Sequence, residues 1–240
     1  MSMTQTLYER QQNRNWLTRF LHSGRYVELL KAVGHLETAV GRRPVRVLDI
    51  GCGPGTTANR LLDHYNADYT GIDYDPTFIE AAQAKTGSRR NCRFVTADAA
   101  DPTHYRPGSA DIVCALETFE HIPANSVVRI IENVCRIVKP RVFLVTVPVE
   151  VGPAVWIKNW GSMLMGYDRQ SGNFRETFWA GLYQLRRVAP HIVSHQGFDW
   201  RWLAYTMHSN APLQELRSMP FRFIPKSLAP TMLMISKPGG

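Results

Sequence analysis

The sequence predicts an α/β fold: a seven-stranded, mostly parallel sheet with helices on both faces, N-terminal helices before it and a helical insertion after strand five. Three observations carry that expectation. Short β-branched runs alternate with amphipathic helical patterns between Val45 and Val147, the rhythm of strands joined by crossover helices. Five of the runs are apolar, which implies a parallel sheet covered on both sides. A glycine-rich turn follows the first run, in "VRVLDIGCGPGTTANRLL" from Val45 to Leu62.

Taken in order, "TLYERQQNRNWLTRFLHSGRYVELLKAVGHLETAV" reads as two helices broken near Ser23–Gly24. Strands are expected over 45–50, 68–73, 92–97, 110–116 and 141–147, with helices over 56–65, 76–85 and 126–138 between them. The last helix places Val127, Ile130, Ile131, Val134 and Val138 on one face. "VGPAVWIKNWGSMLMGY" and "NFRETFWAGLYQLRRV" read as an inserted helical pair. A short helix over "DWRWLAYTMH" has Asp199 as its N-cap, and "PLQELRSMPF" and "PTMLMIS" close the sheet. The "KPGG" end reads as a frayed tail. Residues 1–240 thus form one domain, with a helical cap (1–44), a core (45–150), an insertion (151–198) and a closing helix and hairpin (199–240).

Composition limits the functional classes. The chain has 240 residues, 44% of them hydrophobic and 20% charged, a globular balance. No apolar run approaches the roughly 18 residues of a membrane span, and "MSMTQTLYERQQNRNW" has no signal-peptide core. Cys52, Cys92, Cys114 and Cys135 form no CxxC pair, so reduced, mostly buried thiols in a cytosolic protein are expected. The net charge of +8 is uneven. Residues 1–46 carry 8 Lys+Arg against 3 Asp+Glu, residues 47–150 carry 10 against 13, and residues 151–240 carry 10 against 4. All six tryptophans lie in the two basic flanks. Such flanks either cover an ordinary core or meet an anionic surface.

The glycine turn selects among nucleotide ligands. Gly51, Gly53 and Gly55 give G-x-G-x-G, with Thr56 where the third glycine of a dinucleotide fingerprint belongs, and no phosphate-loop lysine follows. Asp49, two residues before Gly51, would repel a pyrophosphate but favours an ammonium or sulfonium. S-adenosylmethionine carries adenosine, a cationic sulfur and an amino acid. Asp73, about twenty residues beyond the glycines, is placed to accept the ribose hydroxyls. Asp98, at the end of the third strand, could accept the adenine amino group. Acids at strand ends also serve as helix caps, but three at successive strand ends around a glycine turn form a pattern.

From Val45 to Val147 the chain resembles the Rossmann-like class I S-adenosylmethionine-dependent methyltransferases, and "VLDIGCGPG" is close to word-for-word that family's first motif. The resemblance implies that Gly51, Cys52, Gly53 and Gly55 pass under the methionine moiety, with Asp49 near its amino group. It further implies Asp73 and Tyr74 at the ribose, Asp98 and Ala99 at the adenine, and Leu116 and Glu117 near the sulfur. "CALETFEHIP" is similar to the "SEVLEHV" stretch of quinone-pathway and other bacterial small-molecule O-methyltransferases, with Leu116 in place of a serine or asparagine.

Methyl transfer from a sulfonium is an in-line displacement that depends on positioning, and a hydroxyl acceptor benefits from a base. His121 is the first candidate base, Glu117 lies beside it, and His195 in "SHQGFDWRWL" matches a histidine that borders the acceptor pocket in relatives. Glu120–His121 also reads as a structural brace for its loop. Glu117, Glu120 and His121 could together ligate a divalent cation, as in some of the quinone-pathway enzymes this stretch resembles, but no distant fourth ligand is visible and no metal is expected. "HIVSH" lacks the acid of a zinc helix. Trp156, Trp160, Met163, Leu164 and Tyr167 share one face of the insertion, which either packs on the sheet or lids an apolar or lipid-linked acceptor. The first helix, with Trp16, Phe20 and Tyr26 among Arg14, Arg19 and Arg25, reads as a second element for a membrane surface.

The expected function is methyl transfer to a hydroxyl of a small, amphipathic or lipid-linked metabolite, in the cytoplasm or at the inner face of the membrane. Two alternatives stay open: a nucleic-acid or amine N-methyltransferase, and a non-catalytic S-adenosylmethionine-binding protein. Against the nucleic-acid reading, no "NPPY"-type motif is present, and Cys114 precedes the end of its strand.

Overall fold

The computed structural model describes residues 16–87, 89–164, 174–189 and 197–240. Seven strands form one sheet: β1 (Val45–Ile50), β2 (Ala67–Asp73), β3 (Cys92–Thr96), β4 (Ile112–Leu116), β5 (Val142–Pro148), β6 (Leu213–Met219) and β7 (Thr231–Ser236). Their order is β3-β2-β1-β4-β5-β7-β6, and β7 runs antiparallel to both neighbours. The helices are α1 (Trp16–Val40), α2 (Thr56–Leu62), α3 (Pro76–Thr86), α4 (Ala124–Asn133), α5 (Ala154–Leu164), α6 (Phe174–Gly181) and α7 (Trp200–Asn210).

Strand alternation feeds two apolar layers. Val45 and Val47 of β1 face a layer containing Leu29 and Val33 of α1, Leu61 of α2 and Ile79 of α3. Leu48 and Ile50 face the opposite layer, with Val127, Ile130 and Ile131 of α4 and Leu203 and Met207 of α7. Connections leave β1 toward β2 and β4 on opposite sides, so the sheet reverses its order between β1 and β4. In open parallel sheets a ligand crevice forms at that reversal, beyond the carboxyl ends of the strands.

Two expected elements differ. From Trp16 to Val40 the first segment is one continuous helix through Ser23–Gly24. Tyr26, Leu29 and Val33 are buried against the core, and burying three large side chains outweighs the roughly 1 kcal/mol that a helical glycine costs. The helix expected over 126–138 is α-helical only to Asn133. Its last turn, Val134–Val138, widens to a π turn capped by left-handed Lys139. The Asp199 cap is as expected: its carboxylate accepts the Arg201 N–H at 2.9 Å. The four cysteines are free thiols, three buried and Cys92 half-buried. Among the described residues no helix is long and apolar enough to cross a membrane.

The amino end of β4 is clamped to β1. Buried Asp111 accepts both terminal nitrogens of Arg43 at 2.7 and 2.8 Å, and the backbone N–H and side chain of Arg46 at 3.0 to 3.2 Å. Burial alone would raise the Asp111 pKa, but these donors reverse it and hold the carboxyl well below its usual range. The stabilisation is therefore present above the unfolded carboxyl pKa near 4 and is lost as pH falls below it. Asp111→Ala is expected to cost about 2 kcal/mol, because both arginines are partly solvated, and the deficit should shrink in melts at acid pH.

Candidate active site

The β1–α2 turn and the ends of β2, β4 and β5 converge at the sheet reversal. Gly51 and Cys52 both donate their N–H groups to the Ile72 carbonyl, at 2.8 and 3.1 Å, which folds the turn back over β2. That return needs space. A Cβ on Gly71 would lie 2.8 Å from Cys52 Cβ, and one on Gly51 would lie 2.2 Å from Thr118 Cγ2. Gly51 also sits at φ +71°, a backbone region that side chains resist. Above Gly53, at φ +51°, a Cβ would meet nothing within 4 Å, so this side of the turn is open to a ligand.

Asp73 joins the turn to the next strand end. Its Oδ2 accepts the Gly53 N–H at 2.8 Å and its Oδ1 accepts the Asp75 N–H at 3.0 Å. The half-buried carboxylate keeps lone pairs for further donors. Burial raises its pKa, opposed by the backbone N–H groups of Asp75 and Gly53. At the neighbouring strand end Asp98 is exposed and accepts the Ala100 N–H at 2.8 Å, which orients Ala99 beside it. Tyr74 is also exposed. Leu116 is half-buried at the tip of β4.

Asp49 is placed differently from the open acid expected at the mouth of the turn. It is 1% exposed, and its carboxylate accepts hydrogen bonds from Tyr69 Oη at 2.5 Å and from Cys114 Sγ at 3.4 Å. Asp49 shares the parity of Val45 and Val47, so it points into the α1–α3 layer, with Gly71 and Cys114 as cross-strand neighbours. Burial raises its pKa to about 6, against the hydrogen bonds from Tyr69, Thr57 and Cys114. A carboxyl that binds its proton more tightly folded than unfolded makes stability fall as pH rises from about 4 to about 6, and leaves it flat above. Asp49→Asn should remove a slope of about 3 kcal/mol across that window. Chemical denaturation at pH 4 and pH 7 measures it, and equal slopes in both proteins would refute the assignment.

The end of β4 holds a second group of acids. Glu117 is left-handed, at φ 57°, and its N–H donates to the Thr146 carbonyl at 2.9 Å. This ties the strained residue to β5. Glu117 Oε1 and both Glu120 oxygens are buried and accept no hydrogen bond. Burial raises the pKa of both carboxyls; the charges of Arg25 and Lys158 temper the rise at Glu117, and the Glu117 charge adds to it at Glu120. Buried Glu150, just past β5, completes the cluster and pairs with Lys158 Nζ at 3.1 Å. His121 stands half-exposed on the lip, with Nε2 3.9 Å from Glu120 Oε1. Among the described residues no group of three or more His, Cys, Asp or Glu side chains is arranged to hold a metal ion.

The structure thus brings Gly51, Cys52, Gly53, Gly55 and Asp73 into one turn, and sets Glu117 and His121 across from it through Thr118. His195 and Tyr167 lie outside the described residues, and Met163 and Leu164 are described only in their backbone, as the last residues of α5. Lys158 and Glu150 carried no signal in the sequence, and Arg25 none for this site, since each arrives from a distant element. Gly71 and Tyr69 could have been suspected only from their places in the second strand.

A parallel sheet reversing between β1 and β4, with an open glycine turn and an acid ending the next strand, defines a Rossmann-like methyltransferase fold that binds S-adenosylmethionine. Residues 47–141 match the family described as methyltransferase domain. A ubiquinone biosynthesis O-methyltransferase from Pseudomonas aeruginosa is 34% identical over 120 residues, covering 48% of this chain and 50% of that protein. The chain spans about half the length of that curated relative. Two solved structures share the fold at 14% identity. The CurJ carbon methyltransferase superposes with a TM-score of 0.66 over 98% of this chain and 58% of its own. Magnesium protoporphyrin IX methyltransferase from Synechocystis, solved with bound SAH, gives 0.60 over 96% and 94%.

The residues present fit the donor. The space above Gly53 allows close backbone approach, Asp73 retains acceptor capacity for a diol, and the acids at β4 suit a cationic sulfur.

Proposed function

We propose that this chain transfers a methyl group from S-adenosylmethionine to a hydroxyl of a small, amphipathic or lipid-linked metabolite. The observation that carries this reading is the pair of acids Glu117 and Glu120 at the end of β4, three of whose oxygens are buried without a hydrogen bond, with His121 on its solvent-facing lip. The donor supplies a methyl group on a cationic sulfur. Asp73 holds the ribose, Gly51 to Gly55 admit the methionine moiety, and Asp98 with Ala99 borders the adenine. Buried Asp49 acts from beneath the turn, by fixing β1 against Tyr69 and Cys114.

His121 takes the hydroxyl proton as the acceptor is methylated. Glu120, 0% exposed, lies against the imidazole, so the cation formed there has a carboxyl to turn to. Helices α5 and α6 form the lid of the acceptor pocket. Lys158 of α5 donates to the Val149 carbonyl at 2.9 Å and pairs with Glu150, which fixes the lid at the end of β5. The O-methyltransferase similarity supports an oxygen acceptor.

The test is incubation with S-adenosylmethionine and matched panels of phenols, aliphatic alcohols, amines and RNA, followed by mass analysis of products. Methyl ethers of apolar phenols or alcohols are the expected products. Methylated amines or RNA alone would replace the hydroxyl reading, and no product despite donor binding would favour a non-catalytic binding protein.

A further inference from the structure

The outer face of the inserted helices carries large apolar groups that the core does not use. On α5, Trp156 turns inward and stacks on Phe178 of α6 with ring centroids 6.2 Å apart. Trp160, one turn further on, is 73% exposed, and Ile157 beside it is also exposed. On α6, Phe174 is 85% exposed, and Phe178 and Leu182 continue its surface. The tryptophan face expected to seal a pocket is therefore divided, with Trp156 inside and Trp160 outside.

Cations surround these side chains. Arg175 follows Phe174 and lies one turn from Phe178. Arg187 lies 4.2 Å above the Trp179 ring, and Trp179 meets Phe178 edge-on at 5.2 Å, so the guanidinium belongs to the same surface. Arg186 is exposed next to it. Exposed aromatic and aliphatic groups rimmed by arginines suit the headgroup level of an anionic bilayer, where rings enter the interface and cations meet lipid phosphates. A nucleic acid would use the arginines and rings but gains nothing from Ile157 and Leu182. Of the first-helix residues expected at such a surface, Arg25 and Tyr26 are buried, and the side chains of Arg14, Trp16, Arg19 and Phe20 lie outside those described.

We propose that Ile157, Trp160, Phe174 and Phe178, with Arg175, Arg186 and Arg187, form a docking surface for anionic lipid bilayers. The surface goes beyond the methyl-transfer reading, since vesicle binding needs neither donor nor acceptor. Lys158 fastens the same helix to Val149 and Glu150 at the end of β5, so docking would set the lid between the bilayer and the acceptor mouth.

The experiment is co-sedimentation of the full chain with vesicles of phosphatidylglycerol and phosphatidylcholine, and with phosphatidylcholine alone. The unaltered chain should sediment with the anionic vesicles and lose most of that binding in high salt. Ile157→Ser with Phe174→Ser should weaken binding at least 10-fold. Arg175→Gln with Arg187→Gln should weaken it about 25-fold, roughly 5-fold per arginine, and only on anionic vesicles. Spent-donor affinity and the melting profile should be unchanged in both, which separates this surface from the fold and the donor site. No sedimentation with anionic vesicles, or binding indifferent to both pairs of substitutions, would overturn the proposal. So would an oligomer dispersed by the serine pair, or tight RNA binding that the glutamine pair abolishes.

Discussion

Asp73→Ala should abolish measurable S-adenosylmethionine binding while leaving a folded protein. One carboxylate does three things at the end of β2. Oδ2 fixes the Gly53 N–H at 2.8 Å, Oδ1 fixes the Asp75 N–H at 3.0 Å before α3, and the remaining lone pairs are available to the ribose. Alanine removes the ribose acceptor and releases the turn that must lie under the donor. Hydrogen bonds to a charged group contribute about 1.5–3 kcal/mol each, so losing two at the ligand corresponds to at least about a 100-fold loss of affinity. Stability should fall less, because the Asp73 side chain is only half-buried and water replaces it. Calorimetric titration with donor and spent donor, beside a thermal melt, measures both. Asp73→Asn, which keeps one acceptor oxygen, should recover part of the affinity. Binding by the alanine variant at wild-type strength would remove Asp73 from the site.

His121→Ala should lower kcat by about 100- to 1,000-fold on a hydroxyl acceptor and leave donor affinity intact, the pattern expected when a general base is removed. The half-exposed imidazole makes few packing demands, so the variant should fold. Glu120→Gln should lower kcat less, because it acts on the imidazole rather than on the acceptor. It should also change the pH dependence of kcat, which a purely structural role would leave alone. Full activity of the alanine variant across pH would exclude the base and favour an amine acceptor, which needs little proton transfer.

Much of the fold was legible because parallel strands and their helices leave local marks. All five core strands and both closing strands stand within about two residues of their expected bounds, as apolar runs between turn residues predict. The break expected at Ser23–Gly24 failed for a non-local reason: the glycine signal was real, but the core packs Tyr26, Leu29 and Val33. The π turn at Val134–Val138 is invisible in a pattern whose apolar spacing suits an α-helix.

The site divides in the same way. The sequence by itself determined the donor, because the glycine turn and the acids at successive strand ends are contiguous or tied to strand boundaries. It could not tell that Asp49 faces away from the mouth, since its direction depends on which layer its parity feeds. Nor could it place Arg25, Glu150 and Lys158 around Glu117 and Glu120. Long-range electrostatics and burial arise only when α1, β5 and α5 meet the end of β4. Tertiary structure alone made Glu120 a fully buried acid beside His121, and turned Trp156 inward and Trp160 outward on one helix.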